Sequence, residues 1–111
     1  MSIVVQNVVC EYMNELRKVY RDSLKRVIMY GSYARGDFTE QSDVDVMILV
    51  TSSEEEIKKT SNYASDIAFD FLMRYGIDIS PVIVNESHFN YWVDTLPFYR
   101  NVQKEGVQIS A

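Results

Sequence analysis

Between Val27 and Val50 two apolar runs, Val27-Ile28-Met29-Tyr30 and Val44 to Val50, enclose a polar insert that carries Gly31, Gly36 and Asp37. Each run has the length and β-branched content of a strand, and the insert is built from turn formers. In the second run Met47 and Leu49 fall on one face of a strand, and Val44, Val46, Ile48 and Val50 on the other. A strand apolar on both sides belongs at the centre of a sheet with helices covering each face.

Two acids, Asp43 and Asp45, stand two residues apart where that strand begins. Alternation along a strand puts both carboxylates on one face, within about 7 Å of each other. Like charges so close raise each other's pKa unless something positive lies between them, and a divalent cation is the natural partner. Oxygen-only ligands suit Mg2+ or Mn2+ better than zinc. On the facing strand end, Gly31-Ser32 leads into Tyr33-Ala34-Arg35-Gly36, a stretch long enough for one helical turn. Backbone N–H groups at such a start, with a hydroxyl and no Cβ in the way, receive an anion. Carboxylates for a metal beside a cradle for phosphate describe a nucleoside-triphosphate site. Taken singly, each piece has a plainer reading: Gly31-Ser32 as a turn, Asp43 and Asp45 as a solvated pair, Arg35 as a surface charge. In combination, carboxylates at the mouth of a buried strand are costly without a partner, and the functional reading leads.

The rest of the chain fills in around these strands. Apolar residues at Val5, Val9, Tyr12, Leu16 and Val19 recur at helical spacing and predict an amphipathic helix from Ile3 to about Tyr20. Arg21 to Lys25 turns the chain into the first strand, whose last residue, Tyr30, is placed to pack or to touch a bound nucleotide. Ser53 and Glu56 fit a capping box, with three acids in the first turn, and the helix they open runs to Tyr75 with Gly76 as its C-cap. Ile57, Ala64, Ile67, Ala68, Phe71, Leu72 and Tyr75 form its apolar face, leaving Asp66 and Asp70 in solvent. Ile77 to Val84 reads as a third strand, with Pro81 arguing for an edge position or a bulge. Asn85 or Ser87 caps a helix containing Phe89, Trp92, Val93 and Leu96, and Pro97 opens another that ends near Gly106. His88 reads as a surface residue at a helix start. Most of the aromatics Phe89, Tyr91, Trp92, Phe98 and Tyr99 are expected in the core, and any exposed remainder would make a partner surface.

At 111 residues the chain is expected to form a single domain, 1–111, with one core. The predicted fold class is α/β (α+β), a mixed β-sheet of three to four strands packed against helices. A net charge of −5 argues against a protein that grips nucleic acid through its backbone, because that footprint is basic. The lone cysteine, Cys10, lies among Val8, Val9 and Tyr12 and reads as a core residue. Without a signal-peptide pattern or a membrane-length apolar stretch, a reducing cytoplasm is the expected location.

Gly31-Ser32, ten intervening residues and Asp43-Val44-Asp45 resemble the signature of the DNA polymerase β-like nucleotidyltransferase superfamily. The fuller string, Gly31 to Asp37 followed by Ser42 to Asp45, is similar to its small bacterial branch, the minimal nucleotidyltransferases or MNT proteins. Strand, turn, loop and Asp-x-Asp strand must occur in order, which makes the signature specific, although it covers about a fifth of the chain. The resemblance implies Mg-dependent transfer of a nucleotidyl group, AMP above all, from an NTP such as ATP to an acceptor hydroxyl. Asp43 and Asp45 would hold two Mg2+ ions, Gly31 and Ser32 the terminal phosphates, and Arg35 would add charge near them. Asp78 resembles, in context, the third metal carboxylate that a later strand supplies in this superfamily; a structural role at a strand start stands beside that reading. A chain this small carries no acceptor-holding domain, so the acceptor is expected from a partner or across a homodimer interface. The MNT resemblance implies a small helical HEPN protein, a ribonuclease-type toxin whose MNT neighbour acts as antitoxin. Two alternatives remain: a weak or inactive NTP-binding protein that neutralises a partner by contact, and a small-molecule, antibiotic-type nucleotidyltransferase.

Overall fold

The structure, a computed structural model, describes residues 3–109. Helix α1 (Ile3–Tyr20) leads through a 3-10 turn into strand β1 (Leu24–Tyr30), and the one-turn helix α2 (Ser32–Arg35) follows. Strand β2 (Val44–Val50), helix α3 (Glu54–Tyr75), strand β3 (Ile79–Asn85), helices α4 (Glu86–Trp92) and α5 (Pro97–Glu105) and strand β4 (Val107–Ile109) complete the order. The strands form one mixed sheet in the order β3-β2-β1-β4. β1 runs antiparallel to both β2 and β4, while β2 and β3 are parallel. A parallel pair cannot be joined by a hairpin, and here the long helix α3 makes the crossover.

The alternation along β2 divides the core as expected. Val44, Val46, Ile48 and Val50 pack with Val9, Tyr12 and Leu16 of α1 and Ala64, Ala68 and Phe71 of α3. Met47 and Leu49 turn to the other face, against Phe89 of α4 and Val102 of α5. Each of these fully buried side chains contributes roughly 1.5–3 kcal/mol over an exposed one, so β2 is fixed from both sides. Asp45, its second residue, is thereby fixed in place, and Asp43 comes immediately before the strand. The Tyr12 hydroxyl donates to the Ala64 carbonyl at 2.8 Å and ties α1 to α3 inside the core. Cys10 is half-buried against that core.

Local signals hold where they are strong. Ser53 accepts from the Glu56 N–H, and Glu56 returns the bond to Ser53 N–H, so the capping box is formed; Gly76 closes α3 in the left-handed conformation at φ 69°. Pro81 lies on β3, an edge strand, where a missing ladder donor is harmless. Asn85, rather than Ser87, caps α4 by accepting the His88 N–H at 3.0 Å.

Elsewhere the boundaries move. β1 starts at Leu24, three residues earlier than expected, because Thr51 N–H donates to Ser23 O and the ladder pairs Leu24 with Val50. β3 covers Ile79–Asn85, not Ile77–Val84, which leaves Asp78 in the approach to the strand. α4 stops at Trp92, so Val93 and Leu96 lie beyond it. The aromatic cluster is mostly outside the core: Phe89 is buried and Tyr99 half-buried, while Tyr91, Trp92 and Phe98 are exposed. Helices of seven and nine residues bury one narrow stripe each, and that stripe is filled by Phe89 and Val102.

Candidate active site

β1 ends at Tyr30, directly across the ladder from Asp45. The next residue, Gly31, takes φ 77° and ψ −153°, a conformation that only glycine adopts without strain. A Cβ there would collide with the Asp45 carboxylate. The chain then closes one turn, Arg35 N–H donating to Gly31 O at 3.0 Å and Gly36 N–H to Ser32 O at 2.9 Å. The N–H groups that precede the first of these bonds have no partner within the turn, as at any helix start. Tyr33 stacks on Phe38 at 4.4 Å and anchors the loop that returns to β2.

Gly31, Ser32, Arg35 and Asp45 all open into one cavity of about 390 Å³, so the turn and one acid share a single space as the sequence suggested. The far wall is α5, which contributes Phe98, Asn101 and Glu105. No motif pointed to these residues. The signal that was available is their spacing, three and four apart along one helix face.

Asp43 departs from the expected arrangement. It precedes β2 instead of lying within it, so strand alternation does not govern its side chain, and it lines a neighbouring depression of about 290 Å³ together with Asp78, Ser80 and Phe69. Val44 N–H donates to Asp78 O at 2.8 Å, which fixes the two approaches side by side. Asp43 lies close enough to Asp78 to raise its carboxyl. Asp43 is also close enough to Asp45 to act on its charge. The three sequence candidates therefore meet in a row, with Asp43 as the neighbour common to the other two.

The electrostatics follow from that row. Asp45 is held above the usual carboxylate range, first by burial and then by Asp43, against a smaller pull from Arg35. Asp78 is raised too, by desolvation first and by Asp43 second. Tyr30 titrates higher than an ordinary tyrosine because it is partly buried and faces Asp45. Arg35 is tied to carboxylates, with Nε 3.2 Å from Asp37 and Nη1 3.4 Å from Glu105 of α5. Among the described residues no group of three acids, histidines or cysteines converges on a point suited to one metal ion. The donor set nevertheless fits a hard divalent cation: every candidate ligand is a carboxylate oxygen, and two of the three are raised by a like-charged neighbour. Among the described residues no helix is long and apolar enough to cross a membrane.

The sequence profile of the nucleotidyltransferase domain family matches residues 9–107. The chain is 36% identical over 96 residues to the "Putative protein adenylyltransferase MJ0604" of Methanocaldococcus jannaschii, a match covering 86% of this chain and 88% of that one. Among solved structures, a nucleotidyltransferase so named, with the same qualifier, from Sulfolobus solfataricus superposes with a TM-score of 0.64 at 19% identity, over 96% of this chain and 79% of that one. One chain of the tri-AMPylated Shewanella oneidensis HEPN toxin in complex with MNT antitoxin superposes with a TM-score of 0.52 at 16% identity, over 96% and 72%. At such identities the superpositions speak for the fold, and the profile with the archaeal relative speaks for the family. The chain therefore belongs to the polymerase β-like nucleotidyltransferase domain family, and its fold is that of the family's minimal members.

Proposed function

We propose that this protein transfers AMP from Mg-ATP to a hydroxyl of a protein acceptor. One observation carries the reading: the Gly31-Ser32 turn and Asp45 share a cavity, while Asp43, near enough to Asp45 to act on its charge, lines the neighbouring depression with Asp78. Phosphate and acceptor thus have separate places on either side of one shared acid.

Asp43, Asp45 and Asp78 would hold two Mg2+ ions. Bound there, Mg2+ supplies the charge that offsets the developing negative charge at the α-phosphate and the leaving pyrophosphate. The unbonded N–H groups at the Gly31-Ser32 turn, with the Ser32 hydroxyl, hold the terminal phosphates. Arg35 exchanges its Asp37 and Glu105 partners for phosphate oxygens. Asp78, on the side away from the turn, orients the acceptor hydroxyl and accepts its proton.

The relative's name and the fold shared with a complex containing an AMPylated HEPN toxin support a protein acceptor, of HEPN type, over a small molecule. The test is intact-mass spectrometry of the protein encoded beside this one after incubation with Mg-ATP. The reading expects added AMP with the unaltered enzyme and none with Asp43→Asn or Asp45→Asn; an acceptor of unchanged mass contradicts it. A second reading, neutralisation of a partner by contact alone, draws on the lack of a three-carboxylate metal group among the described residues. It requires the Asp43→Asn/Asp45→Asn double variant to bind and neutralise the partner as the unaltered protein does.

A further inference from the structure

The cavity has a direction. At one end Arg35 meets Glu105, in the last turn of α5; at the other, Tyr30, the ladder partner of Asp45, meets Phe98, in its first turn. The seven residue steps from Phe98 to Glu105 span about 10 Å of helix. If the terminal phosphates lie by Ser32 and Arg35 and the reacting phosphate by Asp45, the nucleoside extends towards Phe98. We infer that the cavity-facing side of α5 is the nucleobase subsite, with Phe98 as the stacking platform and Asn101 as the reader of a 6-aminopurine. The inference rests on the triphosphate reading of this cavity.

Phe98 is a poor core residue and a good platform. Nearly half of it, 47%, is exposed. Its packing partner Tyr30 stands edge-on to it, with centroids 5.6 Å apart and planes at 75°, which fixes the ring without covering both faces. Bases stack on such rings with a benefit that alanine substitution removes. Asn101 lies three residues on, along the same helix face and at the same cavity wall, while Val102 beside it is buried and pins the helix to the sheet. An amide accepts from the 6-amino group of adenine and donates to N7 in one bidentate contact. Guanine presents acceptors at both positions, so the amide oxygen would face an oxygen. The site therefore selects adenine over guanine.

Calorimetric titration with Mg2+ and either α,β-methylene-ATP, its GTP counterpart or tripolyphosphate tests this directly. Phe98→Ala is expected to weaken the ATP analogue about tenfold and leave tripolyphosphate unchanged, while Phe98→Tyr restores the analogue. The unaltered protein is expected to prefer the ATP over the GTP analogue by about tenfold, and Asn101→Ala to abolish that preference. Tripolyphosphate binding together with an ATP-analogue affinity indifferent to Phe98→Ala overturns the subsite and leaves the triphosphate reading standing. An ATP to GTP ratio unchanged by Asn101→Ala overturns Asn101 as the reader. Failure of the unaltered protein to bind any of the three removes both the subsite and the reading beneath it.

Discussion

The α-carbon of Gly31 lies so close to the Asp45 carboxylate that no side chain fits between them. The turn and the acid are one object: β1 delivers Gly31 beside Asp45, the ladder partner of Tyr30, and the missing Cβ is the space Asp45 occupies. Gly31→Ala therefore meets two penalties, a positive φ of 77° and a collision with Asp45. The backbone term alone costs about 1–3 kcal/mol, and the displaced carboxylate should lower transfer by more than the loss of stability explains. Chemical denaturation alongside a transfer assay checks both. Gly36→Ala, at φ 88° with open space around it, is the control that carries strain without the collision.

Asp45 and Asp78 make the folded state less stable in the absence of metal. Each has its folded pKa raised above the unfolded value, so the protonated form is the one the fold prefers. Their favourable contribution is complete below the unfolded pKa, about 4, and is lost as pH rises through the folded value. In metal-free buffer at pH 7, Asp45→Asn should raise the Tm, and the gap should close below about pH 4. The same substitution should abolish transfer, so stability and activity move in opposite directions. A Tm for Asp45→Asn below that of the unaltered protein at pH 7 contradicts the electrostatic account.

Tyr12 gives the opposite end of the pH scale. Burial first, and the neighbouring Tyr20 second, push its hydroxyl far above the ordinary tyrosine range, and Tyr20 is itself raised by burial. Their contribution is complete below the unfolded pKa of about 10 and is lost as pH rises beyond it. Tyr12→Phe should cost about 1 kcal/mol at pH 7 through the lost bond to Ala64 O. Above about pH 10 the variant should lose stability less steeply than the unaltered protein, as followed by thermal melts from pH 8 to 11.

Much of the scaffold was legible because its signals are local. The Ser53 to Glu56 box, Gly76, Pro97 and the two-sided apolar run of β2 each name their element without help from distant residues. β4 was not legible: three residues, Val107–Ile109, carry no periodicity, and they become a strand because β1 offers its second edge. The site divides in the same way. Gly31, Ser32 and Asp45 are brought together by neighbouring strand ends, which spacing reveals. Asp43 leaves the strand by one residue and so turns towards Asp78, and the α5 wall arrives from some sixty residues away by tertiary packing alone.

Glu105 follows from that wall. Its carboxylate pairs with Arg35 at 3.4 Å and lines the same cavity, so it competes with phosphate for the guanidinium. Glu105→Gln should tighten Mg-tripolyphosphate binding several-fold at low salt and less at high salt, because the pair is exposed and screened. Arg35→Ala should weaken it. Titrations at two ionic strengths distinguish these outcomes.

If the Gly31 turn and the acids at the head of β2 form one site for a metal-bound triphosphate, nucleotide and metal must bind there together. Calorimetry with α,β-methylene-ATP, with and without Mg2+, reads it most directly. Binding should require Mg2+ and disappear in Asp43→Asn and Asp45→Asn; binding that ignores both the metal and these substitutions, or no binding at all, would mean the turn and the acids do not form such a site.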